Sequence, residues 1–231
     1  MRGSQFLTLV NMLRDELRRS TDPAVSSSDI DGLKRVLNRN YESVYLDYDW
    51  PVLRRTFPST PMSAGQNLYD LPAELDPERI EKIALWYNDW AYPLTRGIGF
   101  DQYALFDPED DERSSPIKNW DLRSTGNAVQ YEVWPKPDTT PQFIQFVGFK
   151  KFVRLVNDID QCLLDDNLVV AFSAAELLAS QGSEDAQGKL KAAQALYGRL
   201  RGRLQAGAKT HRLTDGGHPP TQPKIVVAVS R

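Results

Sequence analysis

The chain has 231 residues, 41% of them hydrophobic, with 28 Lys+Arg against 31 Asp+Glu (net charge -3), one Cys, two His and three Met. That length and apolar fraction allow one or two domains with a real core. One cysteine excludes a disulfide framework and any Cys-rich zinc module, two histidines near the C-terminus (His211, His218) exclude a multi-histidine metal site within one chain, no apolar run approaches the roughly 20 residues of a membrane span, and the charged N-terminal stretch lacks a signal-peptide pattern.

Phe6, Leu9, Val10, Leu13 and Leu17 recur at helical spacing and predict a helix over 4–19, stopped at Ser20-Thr21-Asp22-Pro23. A second helix is expected from Ser28-Asp29, where either side chain is a suitable cap, to Trp50-Pro51; its apolar stripe is Ile30, Leu33, Val36, Leu37, Val44 and Tyr45. From Val52 to Val156 aromatic, β-branched and Pro residues dominate. Val52–Phe57 and Leu68–Leu71 read as strands and Arg79–Trp86 as a strand or a helix, with a short helix around Asp101–Phe106. Ala128–Pro135 alternates Val129, Tyr131 and Val133 against Gln130, Glu132 and Trp134. Gln142–Val156 is strongly strand-like, and the Pro-rich turn 135–141 between these two runs predicts a hairpin.

Helical periodicity resumes after Asp158-Ile159-Asp160. Leu168, Phe172, Ala175, Leu178 and Ala179 form one stripe, and Gly182 is placed to end it. Ser183-Glu184-Asp185 opens a last helix carrying Ala186, Leu190, Ala193, Leu196, Leu200 and Leu204, with Arg199, Arg201 and Arg203 in its C-terminal turns, where cations complement the dipole. After Ala206, Gly and Pro break any regular element until Ile225-Val226-Val227-Ala228-Val229. The expected fold is α+β: a four-helix bundle from the N- and C-terminal helices (1–49 and 158–205), an inserted antiparallel β domain (50–157) and an extended C-terminal arm (206–231).

The near-neutral net charge is an average of unlike parts. Arg199 to Arg231 carries Arg199, Arg201, Arg203, Lys209, Arg212, Lys224 and Arg231 against Asp215 alone, a net +6, which leaves -9 for the remainder. No constellation for catalysis stands out, so no enzyme, cofactor or metal is expected. Arg96-Gly97-Ile98-Gly99 lacks the rest of a phosphate loop, Cys162 reads as a core residue, and the acidic run Asp107, Glu109, Asp110, Asp111, Glu112 lacks the spacing and the Gly of a calcium loop. The basic contact stretch (Arg199, Arg201, Arg203, Lys209, Arg212) and the apolar arm (Lys224, Ile225, Val226, Val227, Ala228, Val229, Arg231) are the candidate binding elements. Burying one Ile and three Val yields about 1.5–3 kcal/mol each, while ordering the backbone costs about 1–2 kcal/mol per residue. Docking therefore needs strand addition to a partner or many arms together, which points to a symmetric assembly.

Asn38-Arg39-Asn40-Tyr41-Glu42, Trp50-Pro51, Gly65-Gln66-Asn67-Leu68-Tyr69-Asp70-Leu71-Pro72, Arg79-Ile80-Glu81-Lys82-Ile83 and Trp134-Pro135-Lys136-Pro137-Asp138 together resemble the head-to-tail adaptor (connector) proteins of tailed bacteriophages. The resemblance runs over about residues 4–204, leaving the arm after Gln205 outside it. It implies a structural virion protein of the neck, assembled in the host cytoplasm. Such a protein forms a ring, usually of twelve subunits, that joins the portal to tail, nozzle or tail-fibre proteins and continues the DNA channel without specific DNA binding or membrane contact. The C-terminal arm would reach the portal. An alternative reading is a nucleic-acid-binding accessory protein that uses the basic tail, with salt-dependent affinity.

Overall fold

Helix α1 (Phe6–Glu16) opens the fold in the computed structural model, which describes residues 2–20, 29–124, 126 and 129–208. It buries the expected face through Phe6, Leu9, Val10 and Leu13. No side chain caps its first turn. Instead Phe6 N–H donates to Asp160 O (2.8 Å) and Leu7 N–H to Asp158 O (3.1 Å), so carbonyls distant in sequence satisfy the orphan donors. Helix α2 (Ile30–Asp47) follows. Asp29 stands at its N-cap, but the carboxylate pairs with Arg19 and makes no cap bond.

Trp50-Pro51 ends the helical run as expected. A 3-10 turn (Pro51–Leu53) then takes up the start of the expected first strand and leaves β1 as Arg54–Thr56. The β region continues with β2 (Thr60–Met62), β3 (Leu68–Asp70), β4 (Leu75–Tyr87), β5 (Trp90–Pro93), β6 (Thr95–Arg96), the single-turn helix α3 (Phe100–Tyr103), β7 (Asn119–Ser124), β8 (Val129–Trp134) and β9 (Gln142–Lys150). One sheet has the order β1-β9-β4-β5, with β2 also on β9. The other has the order β3-β8-β7-β6, antiparallel except for β6–β7.

The expected hairpin between β8 and β9 does not form, because the two strands belong to different sheets. Pro135, Pro137 and Pro141 in the connection have no N–H to extend a shared ladder, and the chain steps from one sheet to the other. The strands still meet face to face. Tyr131 packs edge-on to Phe146 with ring centroids 5.0 Å apart, in a core that also holds Ile83, Leu85, Trp120, Val133 and Ile144. The other face of β8 is covered too: Glu132 and Trp134 are buried, and Trp134 Nε1 donates to Phe106 O (3.0 Å) in the segment after α3.

Helix α4 (Asp166–Ser180) is capped by Asp165, whose carboxylate accepts from Leu168 N–H at 3.3 Å, and ends at Gly182 in the left-handed region (φ 67°). The expected single stripe understates its burial. Val169, Val170, Ser173 and Ala174 are buried as well, since α4 is the hub that packs against α1, α2 and α5 (Asp185–Ala208).

Two apolar clusters, one among the helices and one between the sheets, share β9: Phe149 belongs to the first, Ile144 and Phe146 to the second. The joint between them is polar. Opposite Gly148 the pairing of β4 with β9 shifts register between Leu75 and Lys82. The resulting bulge carries Arg79 to the end of α2, where Nε reaches Asp49 Oδ1 (2.8 Å), Nη2 reaches Tyr48 O (2.8 Å) and Nη1 reaches Tyr45 O (3.3 Å). The guanidinium lies over the Phe149 ring at 4.7 Å. Two further ties cross the joint. Tyr45 donates its hydroxyl to Lys150 O (2.7 Å), and burial raises that hydroxyl to about 12. Asn38 exchanges both amide bonds with the Leu155 backbone (2.9 and 3.0 Å).

A methyl group at Gly148 would stand 2.8 Å from Arg79 O and 2.9 Å from Leu75 Cδ1. Gly148→Ala is therefore expected to cost about 1–3 kcal/mol by pushing the bulge away. A shift in urea midpoint at unchanged slope checks this.

Candidate functional site

The basic end of α5 is the part of the candidate interface that the structure describes. Ala193, Leu196, Tyr197 and Leu200 form its packed face. The Tyr197 ring lies edge-on to Trp50 (5.9 Å) and Phe172 (6.4 Å), and its hydroxyl donates to the Asp47 carboxylate. Desolvation, with Asp47 beside it, raises that hydroxyl above the ordinary tyrosine range.

Arg201 is part of this packing. Its guanidinium carbon lies 4.8 Å from the Tyr48 ring centroid and 5.3 Å from that of Tyr197, and Nη1 donates to the Tyr197 hydroxyl (3.3 Å). Arg199 and Arg203 are exposed. Arg199 also lines a groove of about 440 Å³ between α1, α4 and α5, together with Met12, Asp15, Glu16 and Leu196. The structure thus divides the three arginines: one is engaged in the fold and two form a basic rim. Lys209, Arg212, Lys224, Ile225, Val226, Val227, Ala228, Val229 and Arg231 lie outside the described residues.

Other candidate groups are held in structural roles. Cys162 is fully buried, and burial pushes its thiol up to about 12, far from the thiolate that reactivity needs. In the acidic loop, Arg113 and Lys136 hold the Asp111 carboxyl down to about 2. Glu112 and Asp107 turn their carboxylates onto backbone N–H groups of the same loop. Among the described residues no group of three or more His, Cys, Asp or Glu is placed to hold a metal ion. Glu132 is buried against Arg123 Nε (2.6 Å) and accepts the Tyr103 hydroxyl (3.1 and 3.0 Å), which fastens α3 to the second sheet.

The motifs of the resemblance converge in space. Gly65 N–H donates to Pro137 O (2.8 Å), Val133 N–H donates to Asn67 O (2.9 Å), and Arg113, tied to Asp111 and through it to Lys136, sits against Gly65. A second surface escaped the sequence reading. Trp86 and Phe143 are cross-strand partners on the outer face of the first sheet, 43% and 38% exposed, beside a groove of about 600 Å³. The signal was present in the alternation: Leu85 and Ile144 face the core, so their neighbours face out.

Arg201→Ala is expected to lower stability by about 1 kcal/mol through loss of its stacking. Arg199→Ala and Arg203→Ala are expected to stay within about 0.5 kcal/mol of the parent, as exposed side chains do. Thermal melts of the three variants check the division.

A family model described as SU10 adaptor protein matches residues 4–219. It extends past Gln205, so the first part of the arm falls inside the matched region. No curated protein matches the chain. No helix among the described residues is long and apolar enough to cross a membrane. With nearly the whole chain matched, including every motif that pairs across the joints described above, the chain belongs to the SU10 adaptor protein family, a structural family of bacteriophage head–tail adaptors.

Proposed function

We propose that this adaptor forms a ring in the neck of the virion, between the portal and the tail, and that the ring continues the DNA channel. The family match over residues 4–219 carries this reading. In it, the helical segments 1–49 and 158–205 form a four-helix ring body around the α4 hub, and the inserted β domain (50–157) serves neighbouring subunits and tail, nozzle or tail-fibre proteins. Side-to-side contacts between unlike faces close such a ring when the rotation between subunits allows it, and twelve copies is the number the resemblance implies.

The charge distribution suits this task. A body of net -9 offers phosphate little to bind, and every Lys or Arg that neutralised a phosphate would add salt-sensitive grip on DNA that has to pass. The basic end is left for a partner. Arg199 and Arg203 stand exposed where α5 leads into the arm, and the proposed docking residues are Lys224, Ile225, Val226, Val227, Ala228, Val229 and Arg231. Many arms engaged at once supply the avidity that one short apolar segment lacks.

Deletion of Lys224–Arg231 is expected to leave the circular dichroism spectrum and melting temperature unchanged and to abolish co-sedimentation with portal particles. Normal co-sedimentation of the truncated chain would contradict the docking role.

A further inference from the structure

The outer face of the first sheet carries an aromatic groove that the adaptor reading does not use. Its floor is the cross-strand pair Trp86 and Phe143, and Pro141 and Tyr87 form its walls. Trp90, 70% exposed, stands nearby on β5. Asn88 and Asp89 close the β4–β5 hairpin with φ of 50° and 64°, the two-residue turn in which both positions are left-handed, so the rim is built on a rigid tip. Asp89 is the only charged residue among the described residues that line the groove.

Flat, exposed aromatic floors of this kind recognise polyproline II segments, which enter with little entropy left to lose and pack their rings on indole and phenyl faces. The Pro-rich sequence Pro219-Pro220-Thr221-Gln222-Pro223 of the same chain, outside the described residues, has the composition such floors take and is followed at once by Lys224. We propose that the Trp86–Phe143 groove binds the Pro219–Pro223 segment of the same chain, with Lys224 meeting Asp89.

The tether is long: the twelve residues from Lys209 to Pro220 span up to about 40 Å. Tethering over that distance raises the local concentration of the segment to the millimolar range, enough for a weak, small contact to be occupied. Pro219–Pro223 would then fix the root of the arm on the β region and leave Ile225–Val229 to project from it. The inference does not depend on portal docking and would stand if that reading fell.

The test uses the full chain. Thr221→Cys carries a nitroxide; buried Cys162 leaves position 221 as the reactive thiol. The tryptophan indole signals are read by NMR in dilute solution. The Trp86 and Trp90 indole signals are expected to lose most of their intensity, with Trp50, in the helical core, unaffected. Pro220→Ala with Pro223→Ala, and separately Phe143→Ala, should restore the signals of the tryptophans that remain. Undiminished Trp86 intensity in the spin-labelled chain overturns the proposal. So does broadening that appears only when spin-labelled and isotope-labelled chains are mixed, since a second copy then fills the groove.

Discussion

Helix α2 ends in carbonyls that its own sequence leaves uncompensated, for no basic residue stands in its last turn. The compensation comes from Arg79 on β4, which places one guanidinium against Tyr45 O, Tyr48 O and Asp49 and over the Phe149 ring. A cation at a helix C-terminus is favourable, and charge-assisted hydrogen bonds from a guanidinium to carbonyls are among the stronger ones available. The position of Arg79 depends in turn on the β4 bulge, and the bulge on the missing side chain at Gly148. One joint thus sets where the sheets sit on the helices, and with it where the basic end of α5 and the aromatic groove lie relative to each other.

The parts of the fold legible in the sequence were those in which one residue's chemistry decides the local outcome. Gly182 ends α4, Cys162 is core, and Trp50-Pro51 closes the helical run, each as its side chain dictates. Less legible were the decisions made by distant partners. The β8–β9 connection looks like a hairpin because both runs alternate and a Pro-rich turn divides them, yet β8 pairs with β3 and β7 while β9 pairs with β1, β2 and β4. Likewise Asp29 suits a helix cap but is taken by Arg19, and Glu132, on the face of β8 opposite Tyr131 and Val133, is buried by the segment around Tyr103.

The candidate site shows the same division. Arg199, Arg201 and Arg203 are indistinguishable in sequence, two residues apart on one helix. Only tertiary packing sets Arg201 apart, because Tyr48 and Tyr197 flank it while its neighbours turn outward. The motifs that carry the family resemblance have a physical reading as well. Asn38, Gly65, Asn67, Arg79 and Pro137 each stand where one element is tied to another, so the resemblance is to a way of joining helices and sheets more than to a surface. For a structural adaptor, a stiff joint between two cores matters more than any single reactive group.

Arg79→Leu tests that joint most directly, with unfolding in urea followed at once by helical circular dichroism and by tryptophan fluorescence. Four of the five tryptophans (Trp86, Trp90, Trp120, Trp134) lie in the β region, so the two probes report on different cores. In the parent chain the two transitions are expected to coincide; in Arg79→Leu they are expected to separate, the helical signal falling first. Coincident transitions at the parent's midpoint in the variant would contradict the claim that this guanidinium couples the two cores.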